Sequence, residues 1–207
     1  MKQLFDPEGM VMQTLTVISD MLLLNLCFVI CAIPVVTIGA ANAALYGVLL
    51  RQEEIHTPVR SFFARFRQNF RQATAAWLIV LAIGAFLLMD MQLLRLLDTA
   101  YPLVEIVLKI GAFLLVAVNC YTFALLSLYR GSVVETLKNA LILSVAALPR
   151  SVLVVLLAVL PVVVLILDIS LFIRFIFPWL IFGIAVTAKL SALLMKPAFI
   201  RFLNSDA

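Results

Sequence analysis

Residues 51–94 read RQEEIHTPVRSFFARFRQNFRQATAAWLIVLAIGAFLLMDMQLL: a basic, phenylalanine-rich stretch that passes without a break into 22 largely apolar residues. At about 100° per residue, Phe62, Phe63, Phe66 and Phe70 share a sector of about 100°, and Arg60, Arg67 and Arg71 project from the opposite flank. Aromatic residues on one side and arginines on the other predict an interfacial helix near 58–72. Its membrane-facing or partner-facing side chains are expected to be Phe62, Phe66, Asn69, Phe70, Arg60, Arg65, Arg67 and Arg71. The run from Ala73 to Leu94 then meets the requirement of about 20 apolar residues for a membrane-spanning helix.

The rest of the chain has the same character. Of 207 residues, 65% are hydrophobic and 13% charged, against about 45–50% and about 25% in soluble proteins. Spans are expected near 15–36, 73–94, 103–129, 147–170 and 174–196. The fold class is therefore an all-α polytopic membrane helix bundle in a single membrane domain. The first apolar stretch continues to Leu50, too far for one span. Pro34 removes a backbone donor and Gly39 permits a turn, so a second, short helix is expected near 40–51, at the interface or dipping back into the protein. Pro34, Thr37, Gly39, Asn42 and Tyr46 make up this helix-break motif. Thr37 can hydrogen-bond a carbonyl freed by the break, and Asn42 or Tyr46 can tie the short helix to the bundle. A further amphipathic helix is expected near 132–146, with Ser132 as its N-cap.

Orientation follows from basic residues. The gaps at 51–72 and 130–150 and the tail from Lys189 hold 11 of the 15 Lys and Arg; Lys2, Arg95, Lys109 and Arg174 are the rest. Seven of the 11 acids (Asp6, Glu8, Asp20, Asp90, Asp98, Glu105 and Asp168) fall on the other side of this division. The expectation is five spans, N-terminus outside and C-terminus cytoplasmic. No basic leader with a cleavage site precedes the first run, which reads as an anchor. Asp90 before Arg95 and Asp168 before Arg174 close two units of span, amphipathic helix and span. That pattern is compatible with parallel repeats.

Polar groups at membrane depth are the usual candidates for function. Asn25 and Asn119 are the intramembrane polar residues, with helix bridging as their default role. Asp20 reads as a boundary residue, and Lys189 can snorkel to the cytoplasmic face. Cys27, Cys31 and Cys120 read as small buried hydrophobes, and a lone His56 cannot build a histidine metal site. No nucleophile elbow, zinc-protease motif or P-loop is present. The expectation is no enzyme activity, no cofactor, no metal and no nucleic-acid partner.

Asn25, Ile33-Pro34-Val35-Val36-Thr37-Ile38-Gly39-Ala40, Ala44-Leu45-Tyr46 and Ser61-Phe62-Phe63-x-x-Phe66-x-x-Asn69-Phe70-x-Gln72 resemble the YesL-like family, bacterial integral membrane proteins with a domain of unknown function. The resemblance covers about a quarter of the chain and brings no catalytic residue with it. It implies a small multi-span protein of the bacterial cytoplasmic membrane that accompanies carbohydrate uptake. The functional expectation is an accessory or interaction subunit in the lipid bilayer, with a membrane-protein partner such as a sugar-uptake permease. The alternative is a small-solute transporter or channel-like protein with a cavity at the Pro34–Gly39 break.

Overall fold

A computed structural model describes residues 10–51, 57–96, 102–129 and 131–205. Lys2, Asp6, Glu8, Glu53, Glu54, His56, Asp98 and Arg130 lie outside the described residues. The elements are α1 (Met10–Ala32), a 3₁₀ turn (Val35–Thr37), α2 (Ile38–Leu50), α3 (Pro58–Leu96), α4 (Pro102–Leu128), α5 (Val133–Ala146), α6 (Leu148–Leu167), α7 (Ile169–Pro178), a π turn (Trp179–Gly183) and α8 (Ile184–Ser205). No strand occurs among the described residues. Five helical stretches are long and apolar enough to cross a membrane: Thr14–Ala32, Pro58–Leu96, Pro102–Leu128, Leu148–Leu167 and Ile169–Phe202. Their outward faces carry exposed leucine, isoleucine and valine, the arrangement expected where the solvent is lipid.

The core lies in the shortest of the apolar helices. In α2, Ala40, Ala41, Ala43, Ala44 and Leu45 are fully buried, enclosed by α1, α3, α4 and α8. A Cβ on Gly39 would lie 2.5 Å from the Ala73 carbonyl oxygen, and one on Gly47 would lie 2.7 Å from Arg65 Cδ. Lipid tails are as apolar as leucine, so helices associate in a bilayer by close packing at small residues. Of the two placements expected for 40–51, at the interface or dipping back into the protein, α2 takes the second. Ile38 to Leu50 carries no charged residue, so α2 has no polar face to lay on a headgroup layer.

The direction of α2 sets how the helices alternate. Thr37 binds Cys31 at one end of the α1–α2 pair, while Val48 and Leu49 adjoin Asp20 and Met21 at the other. The two helices are antiparallel. Gly39 meets Ala73 and Gly47 meets Arg65, so α2 and α3 are antiparallel too, and α1 and α3 run the same way. Asn25 contacts Leu180 and Ala185, and Asp20 shares a crevice with Lys189, so α8 runs opposite to α1. The start of α1 and the end of α8 therefore lie at the same end of the bundle, not at opposite ends. Five long passes and the half-length pass α2 make an even number. The expected repeat is not reproduced either: α1 and α3 are parallel, whereas α4 and α6, joined through Tyr121 and Ser151 and flanking one cavity, are antiparallel.

The segment read as a separate interfacial helix is the first part of α3, one helix of 39 residues. The expected span at 147–170 ends at Leu167, because Asp168 turns to accept from the Ser170 and Leu171 amides and caps the next helix. The last expected span is lengthened in both directions, and α7, the π turn and α8 follow one another without a gap from Ile169 to Ser205. In α5, Ser132 accepts from the Glu135 amide at 3.2 Å while Glu135 Oε2 accepts from the Ser132 amide at 3.0 Å. This is a complete capping box.

Replacing Ser132 with Ala is expected to cost about 1 kcal/mol, read as an earlier thermal transition in detergent. The Ser132 backbone and side-chain hydrogen bonds hold the Glu135 carboxyl below its ordinary range. Because the folded value is lowered, this contribution is complete above the unfolded value of about 4.3 and fades as pH falls through the folded one. The gap between native and Ser132→Ala melting should therefore narrow in acid.

Candidate functional site

Three features concentrate polar chemistry: the helix break, whose residues 33–36 are exposed, the π turn, and a cavity beside α2. At the break, the Thr37 hydroxyl lies 2.5 Å from the Cys31 carbonyl oxygen and 2.7 Å from that of Pro34. Trp77 Nε1 donates to the Val35 carbonyl at 2.8 Å. The Cys31, Pro34 and Val35 carbonyls around the break thus each accept a side-chain hydrogen bond. Thr37 does what its position implied. The role of Trp77 was not foreseen, since 42 residues separate it from Val35.

Asn25 is fully buried and works on the π turn. Its Nδ2 donates to the Leu180 carbonyl at 2.5 Å, and its Oδ1 accepts from the Ala185 amide at 2.8 Å. A π turn shifts the hydrogen-bond ladder by one residue, and Pro178 just before it lacks a donor. One amide side chain supplies the acceptor and the donor that the local backbone does not. Asn25 therefore bridges α1 to the final membrane-spanning stretch.

The cavity, about 240 Å³, lies between α2, α4, α6 and the π turn with the start of α8. Asn42, Tyr46, Asn119, Thr187 and Ser191 give its wall polar groups; Phe123, Pro161 and Trp179 are among its apolar surfaces. The Tyr46 hydroxyl is hydrogen-bonded with Ser191, and Asn42 Nδ2 donates to the Ile38 carbonyl at 3.2 Å. Asn119 Oδ1 is buried without a hydrogen-bond partner. Of the helix-break motif, Asn42 and Tyr46 reach this cavity, whereas Pro34, Thr37 and Gly39 are not among its lining residues. Ser191 and Thr187 were missed in the sequence, where single hydroxyls in an apolar run give no signal.

The basic-aromatic residues separate into two groups. Phe62 is fully buried and stacks near Phe66, which in turn meets Phe70 edge-on. Arg65 is also buried, against Gly47, and this corrects its expected place on the partner-facing side. Arg60, Arg67 and Arg71 are exposed, Asn69 half-buried and Phe70 at the edge of exposure. The helical wheel contained the signal: Arg65 lies about 60° from Phe62 and about 120° or more from Arg60, Arg67 and Arg71. Cys27, Cys31 and Cys120 are free thiols. No group of three or more metal-ligating side chains occurs among the described residues.

The chain is thus a membrane helix bundle whose first apolar stretch breaks at Pro34. Residues 21–91, from the middle of α1 through α2 and most of α3, are similar to a protein family of unknown function, DUF624. That similarity spans the break, the buried α2 and the arginine-bearing start of α3, about a third of the chain. No curated protein and no solved structure matches the chain.

Asn25→Leu strands a carbonyl and an amide in the bundle, an expected cost of about 1–3 kcal/mol. Asn119→Leu removes an oxygen that has no partner, so its cost should be smaller. Thermal unfolding of both variants in one detergent checks this; equal losses would contradict the bridging role of Asn25.

Proposed function

We propose that this chain is a non-catalytic accessory subunit of the bacterial cytoplasmic membrane, presenting the exposed face of α3 to a membrane-protein partner. The observation carrying this reading is the division of labour within one helix. Phe62 and Arg65 fix the start of α3 onto α2, while Arg60, Arg67 and Arg71 stay exposed on the other flank. A basic face held on a rigid element keeps its geometry without an ordering cost on binding. The YesL-like resemblance supports a sugar-uptake permease as the partner. In this reading both chain ends are cytoplasmic: the start of α1 lies at the end of the bundle that holds Lys189 and the first turns of α3. Counting Lys2 there raises the basic residues on that side from 11 to 12 of 15, which sharpens the positive-inside bias.

A second reading has one observation in its favour. Asn119 Oδ1, buried and unpartnered, stands in the wall of a cavity rich in uncharged hydrogen-bonding groups. A small polar solute passing through the bundle would use such groups.

Two measurements test these readings. With Cys27, Cys31 and Cys120 replaced, single cysteines at Lys2 and Asp206 should both be protected from an impermeant thiol reagent in intact cells, and one at Leu103 should be labelled. Labelling at Lys2 alone would restore opposite ends and defeat the proposed topology. Photo-crosslinkers at Arg67 and Gln68 should trap one defined membrane protein. If they trap only lipid or a second copy, and the purified protein moves a solute in liposomes, the second reading replaces the first.

A further inference from the structure

The α6–α8 face carries two adjoining features outside the sites above. At one end, a crevice of about 520 Å³ opens between α5, α6 and α8, with Arg150 and Arg201 in walls otherwise formed by apolar groups such as Ile142 and Phe202. On the same pair of helices lies a groove of about 440 Å³ lined entirely by leucine, including Leu153, Leu156 and Leu160 from α6 and Leu190, Leu193 and Leu194 from α8. Neither arginine is in an ion pair with a described carboxylate. Most of these leucines are exposed, Leu156 at 55% and Leu193 at 52%, so the chain does not fill its own groove.

The register joins the two features. At about 100° per residue, Arg150, Leu153, Leu156, Leu157 and Leu160 fall within about 120° of one another on α6, and Arg201 falls within about 20° of Leu194 on α8. From Arg150 to Leu160 is ten residues, about 15 Å of helix, which equals half of a hydrocarbon core of about 30 Å. Two guanidiniums at the mouth of a leucine track as deep as one leaflet match a molecule with an anionic head and hydrocarbon tails. Guanidinium is the side chain best suited to phosphate oxygens, and basic pockets between membrane helices are established lipid-headgroup sites.

We infer that the α6–α8 groove holds an anionic phospholipid, with its phosphate between Arg150 and Arg201 and an acyl chain along the leucines. The occupant is a lipid rather than free phosphate because the track continues a full leaflet past the arginines. This site is separate from the α3 face and does not depend on its partner.

The test uses the full chain in detergent, titrated with phosphatidylglycerol and phosphatidylcholine of the same acyl chains and read by native mass spectrometry. Phosphatidylglycerol should bind preferentially. Arg150→Gln and Arg201→Gln should each weaken it about fivefold, and the pair about thirtyfold, whereas the Arg150→Lys, Arg201→Lys pair should keep most of the binding and so controls for folding. Leu156→Trp with Leu193→Trp, which fills the track and leaves both arginines, should also abolish retention. Arg60→Gln with Arg67→Gln should leave it unchanged. Equal binding of both lipids overturns the inference, as does retention by the double Gln variant. Glycerol 1-phosphate binding as tightly as phosphatidylglycerol would make this a soluble-phosphate site. A disulfide between copies through Leu156→Cys, without lipid preference, would make the groove a dimer interface; either result excludes the lipid.

Discussion

The contact between α2 and α3 is the constraint from which the rest of the bundle follows. It is made where side chains are smallest: Gly39 against the Ala73 backbone, Gly47 against the stem of Arg65, and Ala40 to Ala44 with no exposure. Nothing drives two apolar helices together in lipid except the contacts themselves, and those contacts strengthen as backbones approach. The approach sets the other positions. It brings Trp77 to the Val35 carbonyl, closes the break, and presents Asn42 and Tyr46 to α4 and α8. A methyl group at Gly39 would collide with main chain, which cannot swing aside as a side chain can.

A bundle that contains a reversed half-helix and a π turn has more unpaired backbone than straight spans would have. Each break is answered by a side chain: Thr37 and Trp77 at Pro34, Asn25 at the π turn, and Asp168 at the start of α7. Two of these four, Trp77 and Asn25, come from distant parts of the chain, whereas Thr37 and Asp168 lie within a few residues of the groups they bind. The polar residues of the spans are therefore mostly committed to backbone. Asn119 Oδ1 and Thr74 Oγ1 are exceptions, and of these two Asn119 lines the cavity.

The all-α membrane character, the break at Pro34, the hydroxyl role of Thr37 and the cap at Ser132 were legible because each is local. Span length, a missing amide and an N-cap are properties of a few adjacent residues. The burial of α2 was less legible, since a short apolar helix of alanine and glycine has nearly equal faces and no period to read. Left open between the interface and the protein interior, α2 could not be counted from the sequence as a helix antiparallel to α1 and α3. Arg65 differs for another reason: its proximity in sequence groups it with Arg60, Arg67 and Arg71, although its angle around the helix sets it beside Phe62. Pairings such as Asn25 with the π turn span 155 and 160 residues, and nothing in the local sequence specifies them.

Acids are a weaker guide to orientation than cations. Asp6, Glu8 and Asp20 flank the start of α1 and made that end look acidic, hence external. Carboxylates contribute little to orientation, and Asp20 is spoken for within the fold: it is buried in the crevice that Lys189 also lines. Within α1 itself Asp20 is the one charged residue. The cations at that end then fall into three chemically distinct settings. Arg65 is inside the fold, Arg60, Arg67 and Arg71 are exposed on the flank of a rigid helix, and Arg150 and Arg201 stand at the mouth of an apolar groove. One net charge thus conceals a structural arginine, an interaction face and a crevice suited to an anionic head with a hydrocarbon tail. What each cation does is decided by what lies within a few ångströms of it.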